Sequence, residues 1–176
     1  ASDRVPNVRV VVARVLAHSA NNKPEWKDHP KVVASITKLK ADVDPTIESL
    51  ELTGDQLRVL RLAELGHHLF VGGRAGTGKT ALLKHIFMRL SREAGLRVAL
   101  CGMTGVCGVH LGGITLHSAF GIPVSNAHAK WDLPALRSVD VIIIDEVSML
   151  SATLLEQLDA QAQRARQCRH PFGGIQ

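Results

Sequence analysis

The fold of this chain is decided by one glycine-rich stretch, Gly73-Arg74-Ala75-Gly76-Thr77-Gly78-Lys79-Thr80. It fits the pattern G-x-x-x-x-G-K-[ST] of a phosphate-binding loop, or P-loop. The apolar run 69–71 before it predicts a strand, and the residues 79–92 after it predict a helix. Glycines let backbone N–H groups approach a phosphate, and a helix start adds a partial positive charge. A plain glycine-rich turn is the alternative, but the complete strand–loop–helix context favours nucleotide binding.

An acidic pair forms a second site with the P-loop. The continuous apolar run 141–144 predicts a strand buried on both faces, and Asp145 and Glu146 follow at its carboxyl end, where ligands of α/β sheets bind. We expect Lys79 to reach the β- and γ-phosphates, and Thr80 and Asp145 to hold Mg²⁺. Glu146 is then placed to deprotonate the attacking water. Two solvated carboxylates are the alternative interpretation.

Composition bounds the class of protein. Its 176 residues suit one domain with a small appendage, and 45% hydrophobic residues suffice for a core. Aromatic residues make up 3%, without tyrosine, so the predicted core is aliphatic. The net charge of +5 permits nucleic-acid binding without proving it. Three cysteines without metal-ligand spacing indicate reduced thiols in an intracellular protein. No apolar stretch is long enough to span a membrane.

Residues 1–50 are interpreted as an N-terminal extension. Asn21–Pro24 and Asp44–Pro45 predict turns, and Lys31–Lys40 could form a short basic helix with a solvated face. The apolar run Val8–Leu16 contains two arginines in an acid-poor segment. It is compatible with part of an organelle transit peptide, although an ordinary helix or strand is the preferred interpretation.

From residue 51 onward, strands and helices alternate. Thr53-Gly54-Asp55-Gln56 matches a capping box, so a helix is expected to run to about residue 65. After the P-loop helix, we expect a strand over 96–100 and one or two helices between 104 and 120. A linker or short helix over 131–137 and a helix over 152–166 complete the pattern. The alternation predicts a three-layer α/β fold with a parallel sheet. Residues 171–176 look like the entry to a further strand, which suggests a fragment of a longer protein.

Several stretches together resemble the Pif-type family of superfamily-one DNA helicases, and more loosely the RecD-like helicases. Leu52–Gln56 resembles the adenine-contacting Q motif, and Thr104–Val106 resembles the motif after the P-loop. Gly112–Gly121 is very close to a family signature, and Ile143–Met149 is similar to the family's magnesium motif. Residues 171–176 resemble the run that leads into the following motif.

The resemblance implies that residues 51–176 form an incomplete first RecA-like lobe of a P-loop ATPase. The implied enzyme is an ATP-dependent DNA helicase that moves 5′-to-3′ on single-stranded DNA and unwinds duplexes. Roles in DNA repair, recombination, replication and telomere maintenance would follow. The implied partners are single-stranded DNA and DNA junctions or duplex ends, with no membrane. We expect a monomer in the nucleus or mitochondrion.

The resemblance also assigns residues. Glu146, Lys79 and Asp145 would carry hydrolysis, and Thr80 and Asp145 would hold Mg²⁺. The residues implied to contact ATP are Gln56, Gly73, Arg74, Ala75, Gly76, Thr77, Gly78, Lys79, Thr80 and Ala81. Those implied to lie along the DNA are Thr104, Gly105, Thr115 and His117.

The chain departs from the family pattern in two places. Arg74 stands where the family usually has a small residue, and Cys107-Gly108 replaces the small residues that usually follow the Thr-Gly pair. The second RecA-like lobe and its arginine finger, which is worth roughly 10³–10⁵ in turnover, are absent from the sequence. We therefore expect this chain alone to bind nucleotide, to hydrolyse it poorly and to unwind nothing.

Alternatives remain open at the side-chain level. His117 could contact DNA or fix its own loop, and Trp131 and Phe120 could stack on bases or pack in the core. The arginine cluster at 164, 166 and 169 could touch phosphate or complement a helix dipole. The pair His67-His68 has no partner at metal spacing and receives no function. For the whole protein, a nucleotide-binding switch without motor activity is the second hypothesis, and a small-molecule kinase is disfavoured by the acidic pair.

Overall fold

A computed structural model describes residues 51–123 and 131–176, together with the backbone of Arg9–Val12. The elements alternate between strand and helix from residue 54 onward, as predicted for an α/β protein. In chain order they are β1 (Arg9–Val12), α1 (Gly54–Glu64), β2 (Leu69–Gly72), α2 (Lys79–Met88), β3 (Val98–Gly102), α3 (Gly105–Leu111), β4 (Ile114–Thr115), α4 (Leu116–Phe120), α5 (Leu133–Ser138), β5 (Val141–Asp145) and α6 (Ala152–Arg166).

Three strands form a parallel sheet in the order β4-β3-β5. The two long strands are nearly continuous apolar runs, which suits strands covered by helices on both faces. Gly102 at the end of β3 is in register with Thr115 of β4 on one side and with Asp145 of β5 on the other. The carboxyl ends of all three strands therefore meet at one edge of the sheet.

The P-loop strand β2 lies outside this parallel sheet. In the described part of the chain it pairs antiparallel with β1, with Val10 opposite Val71. A single continuous parallel sheet was the expectation, so the arrangement differs from it at this strand. The segment Arg9–Val12 falls within the apolar run 8–16, for which a helix or strand was predicted, and the structure shows a strand.

The chain returns to the free edge of β5 at its last residue. Gln176 donates its backbone N–H to Asp140 O at 3.0 Å and accepts from Ile142 N at 2.8 Å, which is parallel pairing. The residues before it form a 3₁₀ turn, Pro171–Gly174, rather than the predicted entry to a strand. The turn forms because Phe172, Gly173 and Gly174 all have positive φ angles. Strand-like pairing thus begins only after the glycines.

Two apolar clusters flank the sheet. One joins α1 and α2 to the sheet and contains Phe87, and the other joins α4, α5 and α6 to the sheet and contains Phe120. The remaining buried hydrophobic residues in the described part of the chain carry aliphatic side chains, apart from the sulfur-containing Met88 and Cys101. This confirms the aliphatic core that the scarcity of aromatic residues predicted.

Two element boundaries differ from the predictions. The helix after the P-loop is α-helical only to Met88 and continues as a π-helical turn, Arg89–Glu93, where the Ser91 hydroxyl donates to the backbone oxygen of Phe87 at 2.6 Å. The next strand starts at Val98 rather than 96, because the N–H of Arg97 is bound to the Asp140 carboxylate. By contrast, α6 has the predicted bounds.

Some predictions fall outside the described residues. These are the turns at 21–24 and 44–45 and the basic helix at 31–40. Among the residues that the structure describes, no helix has both the length and the apolar character that crossing a membrane would require.

Candidate nucleotide-binding site

The P-loop joins β2 to α2 in the predicted strand–loop–helix order. Gly76 and Gly78 have φ angles of 76° and 77°, in the left-handed region that glycine adopts without strain. Gly73 is required for another reason, because a Cβ there would lie 2.9 Å from the Thr77 hydroxyl oxygen. That hydroxyl in turn donates to Arg74 O at 2.9 Å. The loop is therefore closed on itself by its own residues.

Lys79 folds back across the loop. Its Nζ donates to the backbone oxygens of Gly73 and Arg74, each at 2.8 Å. These two contacts hold a positive charge within the loop, next to the backbone groups that a P-loop uses for phosphate. The carbonyl partners are neutral acceptors, so an incoming triphosphate offers the ammonium stronger, charged acceptors.

Thr80 meets Asp145 across the site. The hydroxyl Oγ1 lies 3.3 Å from the carboxylate Oδ2, although the two residues are 65 positions apart in the chain. Asp145 also accepts the N–H of Glu146 on its other oxygen, at 2.9 Å. Hydroxyl and carboxylate oxygens are hard donors, and Mg²⁺ in phosphate sites is typically bound by one or two such groups plus the phosphates. The pair therefore fits a magnesium ion that arrives with nucleotide.

A metal site formed by protein side chains alone is not seen. No group of three or more histidine, cysteine, aspartate or glutamate side chains within residues 51–123 and 131–176 could hold a metal ion. The thiol of Cys101 is fully buried, and burial raises its pKa to about 12. That thiol therefore stays protonated at physiological pH and is a poor metal ligand.

Glu146 adopts an unusual backbone conformation. Its φ and ψ angles are 53° and 42°, in the left-handed region, and its side chain is exposed at the carboxyl edge of the sheet. Non-glycine residues seldom adopt this conformation, which costs on the order of 1–3 kcal/mol and is concentrated at functional sites. The turn takes the chain abruptly away from the sheet and leaves both carboxylates of the acidic pair at the same edge as the P-loop.

Gln56 connects the first helix to the P-loop. It completes the predicted capping box with Thr53, and its side-chain Nε2 donates to Thr77 O at 3.2 Å. The predicted Q-motif glutamine therefore lies against the phosphate loop. Ala81, the last of the residues implied to contact ATP, is half-buried in the first turn of α2.

The signature segment around α3 and β4 is held by glycines that leave no space for a side chain. A Cβ on Gly113 would lie 2.1 Å from Leu100 O, and a Cβ on Gly102 would lie 2.5 Å from the Gly108 nitrogen. Helix α3 can therefore pack directly on the backbone of β3. The glycine at 108, which departs from the family pattern, is buried in this packing and would bring a Cβ to 3.1 Å from Ile114 C.

The residues implied to lie along DNA occupy the same edge as the acidic pair. Thr115 ends β4, two strands away from Asp145, which is about 10 Å at ordinary strand spacing. Two of these residues also cap helices. The Thr104 hydroxyl accepts the N–H of Cys107 at 3.2 Å and caps α3. The Thr115 hydroxyl accepts the N–H of Ser118 at 3.1 Å and caps α4. Gly105 is exposed at the start of α3, and His117 is half-buried in α4.

Other candidates lie away from this edge. Phe120 is fully buried, and Trp131 packs against the same core cluster, so both favour core packing. Arg166 lies in the last turn of α6 and is influenced by the charge of Asp140. Asp140 precedes β5, whereas Asp145 lies at the other end of that strand. Burial is the main cause that lowers the pKa of Arg166, and the charge of Asp140 acts in the opposite direction.

The ring of His68 contacts the ring of Phe172, with centroids 6.1 Å apart. Burial lowers the pKa of His68.

Sequence reasoning missed two residues that position the site. Gln176 donates its side-chain Nε2 to Ala63 O at 2.8 Å and His67 O at 3.1 Å, which ties α1 to the edge of β5. Asp159 of α6 accepts the N–H of Phe172 and so fixes the turn that delivers Gln176. The adjacent glycines at 173 and 174, which both have positive φ angles, were the sequence signal available for such a turn. No local sequence pattern predicts that Gln176 donates to Ala63 O and His67 O.

Comparisons with known proteins match the same part of the chain. The family model of the PIF1-like helicases matches residues 51–176. The ATP-dependent DNA helicase PIF3 of Trypanosoma brucei brucei is 49% identical over 142 residues, which cover 79% of this chain and 17% of that protein. The human ATP-dependent DNA helicase PIF1 is 38% identical over 135 residues, which cover 72% of this chain and 21% of that protein.

Solved structures give the same result. The Pif1 helicase of Candida albicans superposes with a TM-score of 0.61 at 31% identity, over 72% of this chain and 31% of that one. A Bacteroides Pif1 helicase in complex with ADP-AlF3 and single-stranded DNA superposes with a TM-score of 0.58 at 26% identity, over 72% and 31% of the two chains. The chain thus spans about a fifth of the length of these curated relatives. The chain therefore belongs to the PIF1-like helicase family.

Proposed function

We propose that the protein is an ATP-dependent DNA helicase that couples ATP hydrolysis to 5′-to-3′ movement along single-stranded DNA. The observation that carries this proposal is the 3.3 Å approach of the Thr80 hydroxyl to the Asp145 carboxylate within a PIF1-like domain. It places the P-loop and the acidic pair on two sides of one site, as nucleotide hydrolysis requires. Curated relatives of this chain are named ATP-dependent DNA helicases, which supports the assignment.

Each residue of the site then has one role in hydrolysis. Lys79 would exchange its carbonyl partners for the β- and γ-phosphates of ATP, and Thr80 and Asp145 would hold the Mg²⁺ that accompanies the nucleotide. The ion, when bound, neutralises charge that develops on the phosphate oxygens. Glu146 orients a water for in-line attack on the γ-phosphorus and accepts its proton.

DNA would run along the carboxyl edge of the sheet. Thr104 and Gly105 follow β3, Thr115 ends β4 and His117 follows it, all at this edge. Only the end of β3 lies between Thr115 and Asp145. A strand of DNA on Thr115 can therefore influence the acidic pair through directly paired backbone. The net charge of +5 favours binding to a polyanion, and one related Bacteroides structure holds single-stranded DNA.

The test is ATP turnover by the full-length protein in the presence and absence of single-stranded DNA. We expect stimulation by DNA that weakens steeply as salt rises, because phosphate contacts release counterions. A Lys79→Ala variant provides the baseline. Turnover that is indifferent to DNA, together with no movement on single strands, would contradict the helicase and favour a nucleotide-binding switch.

A further inference from the structure

The side-chain amide of Gln56 is bonded at both ends by the protein itself. Its Oε1 accepts the backbone N–H of Thr53 at 2.9 Å, and its Nε2 donates to the backbone oxygen of Thr77 at 3.2 Å. A backbone N–H can only donate and a carbonyl can only accept, so these partners select one of the two orientations of the amide. The half-buried Gln56 thereby links α1 to a loop 21 positions further along the chain.

The contact with Thr77 has a consequence for the next backbone N–H. In a trans peptide the C=O and the following N–H point in opposite directions, and the structure has no cis peptide bond in the described residues. Since the Thr77 carbonyl faces Gln56, the N–H of Gly78 faces away from it. P-loops bind phosphate through backbone N–H groups of this segment.

The orientation of the peptide bond between Thr77 and Gly78 has to be fixed by a contact from elsewhere, because glycine can adopt many backbone conformations. Gly78 has a φ of 77° and precedes α2 as its capping residue, without a side chain to fix it. A Cβ on Gly78 would lie 2.9 Å from the Nε2 of Gln56. The amide therefore rests directly on the Gly78 backbone as well as bonding the preceding carbonyl.

We propose that Gln56 is a positioning residue for the phosphate loop, in addition to any contact with the base; this rests on the proposed nucleotide site. The amide holds the Thr77–Gly78 peptide with its N–H turned toward the phosphates before nucleotide arrives. An amide has two donor hydrogens and two acceptor lone pairs, so one of each remains after the bonds to Thr53 and Thr77. The remaining donor and acceptor are the groups that the resemblance to the Q motif assigns to adenine, which offers an N6 donor and an N7 acceptor.

A ligand without a base separates the two roles. Binding of Mg²⁺–tripolyphosphate and Mg²⁺–ATP is measured by calorimetry for the wild type, Gln56→Met and Gln56→Glu. We expect Gln56→Met, which keeps the length of the side chain, to weaken tripolyphosphate binding by about three- to tenfold, the loss typical of one hydrogen bond. Gln56→Glu should lose at least as much, because a carboxylate oxygen would face the Thr77 carbonyl. Both variants should lose more affinity for ATP than for tripolyphosphate.

Gln157→Met is the matched control. It makes the same substitution at an exposed position of α6, outside the P-loop and its contacts, so tripolyphosphate affinity should not change. Thermal melting of all variants checks that the fold is kept. If both Gln56 variants lose ATP affinity while tripolyphosphate binds as in the wild type, Gln56 only reads the base and the proposal is wrong. If the wild type binds neither ligand, the nucleotide site itself is misassigned.

Discussion

At the amino end of the sheet, Arg97 donates hydrogen bonds to the carboxylate of Asp140 from its backbone N–H and from its guanidinium group. The backbone N–H and Nε lie 2.9 Å and 2.8 Å from Oδ2, and Nη2 lies 2.7 Å from Oδ1. Asp140 returns its own N–H to Arg97 O at 2.8 Å. The pair therefore fixes where β3 and β5 begin, at the end of the sheet opposite to Asp145 and Glu146.

The Arg97–Asp140 pair predicts how stability depends on pH. Burial would raise the pKa of Asp140, but the hydrogen bonds and charge of Arg97, with a further contribution from Arg166, outweigh it and lower that pKa below its usual value. A depressed folded-state pKa contributes stability above the unfolded pKa of about 3.9, and this contribution is lost as pH falls through the folded value. We expect Asp140→Asn to lower the free energy of unfolding at pH 7 by roughly 1–3 kcal/mol.

Denaturant unfolding at pH 7 and at pH 3 measures this effect. The difference between wild type and Asp140→Asn should narrow at the lower pH, because at pH 3 the Asp140 carboxylate of the unfolded chain is largely protonated and the advantage of the folded ion pair decreases. Glu156→Gln is the control, since Glu156 is exposed on α6 and the substitution removes the same charge. A difference that stays constant between the two pH values would contradict the ionic origin of the stability.

Lys79→Ala should abolish tight triphosphate binding and leave the fold intact. The ammonium is the charged donor of the loop, and its loss removes charge-assisted bonds worth about 1.5–3 kcal/mol, or roughly 10- to 150-fold in affinity. Calorimetric titration with Mg²⁺–ATP provides the measurement, and Lys84→Ala on the same helix controls for the change in charge. Unchanged affinity in Lys79→Ala would show that nucleotide binds elsewhere.

Glu146→Gln should keep nucleotide binding and lose turnover. The amide keeps the size of the side chain but cannot accept the proton of the attacking water, so we expect the turnover number to fall by about 10²–10⁴-fold. Steady-state ATP hydrolysis with DNA and equilibrium ATP binding are measured on the same preparation. Glu156→Gln again serves as control, and normal turnover in Glu146→Gln would rule out the assigned base.

Gly113→Ala should destabilise the whole domain. The new Cβ would lie 2.1 Å from the backbone oxygen of Leu100, so β3 and β4 would have to separate. We expect a loss of about 2–3 kcal/mol, as for other overpacked sites, measured by chemical denaturation. Gly54→Ala is the matched control, because nothing lies within 4 Å of a Cβ at that position. Equal stability of the two variants would show that the close approach at Gly113 is relieved without cost.

Short-range sequence patterns correctly predicted the elements that are stabilised by contacts between neighbouring residues. The capping box at Thr53 and the helix from Ala152 to Arg166 are predicted by short-range patterns, and the structure has both. Each depends on groups only a few positions apart, such as a hydroxyl and the N–H three residues later. The α/β alternation follows from the same reasoning applied element by element.

Contacts between distant segments could not be predicted in this way. Nothing near Asp140 indicates that its partner is Arg97, which lies 43 positions earlier. The antiparallel pairing of β2 with β1 likewise has no local signal, since β-strands of either direction share the same alternation of side chains. The site itself could be located because the P-loop pattern fixes one side of it and the ends of parallel strands meet at one edge.

One residue, Gln176, ties together two elements that flank the candidate site. Gln176 binds the end of α1 with its amide and the start of β5 with its backbone, so it spans the gap between the element that leads into the P-loop and the strand that carries Asp145. In the proposed helicase, force has to pass between these two parts of the domain. The amide hydrogen bonds and backbone pairing of Gln176 therefore hold the end of α1 at a set distance from β5, so neither element can shift alone without breaking one of these bonds.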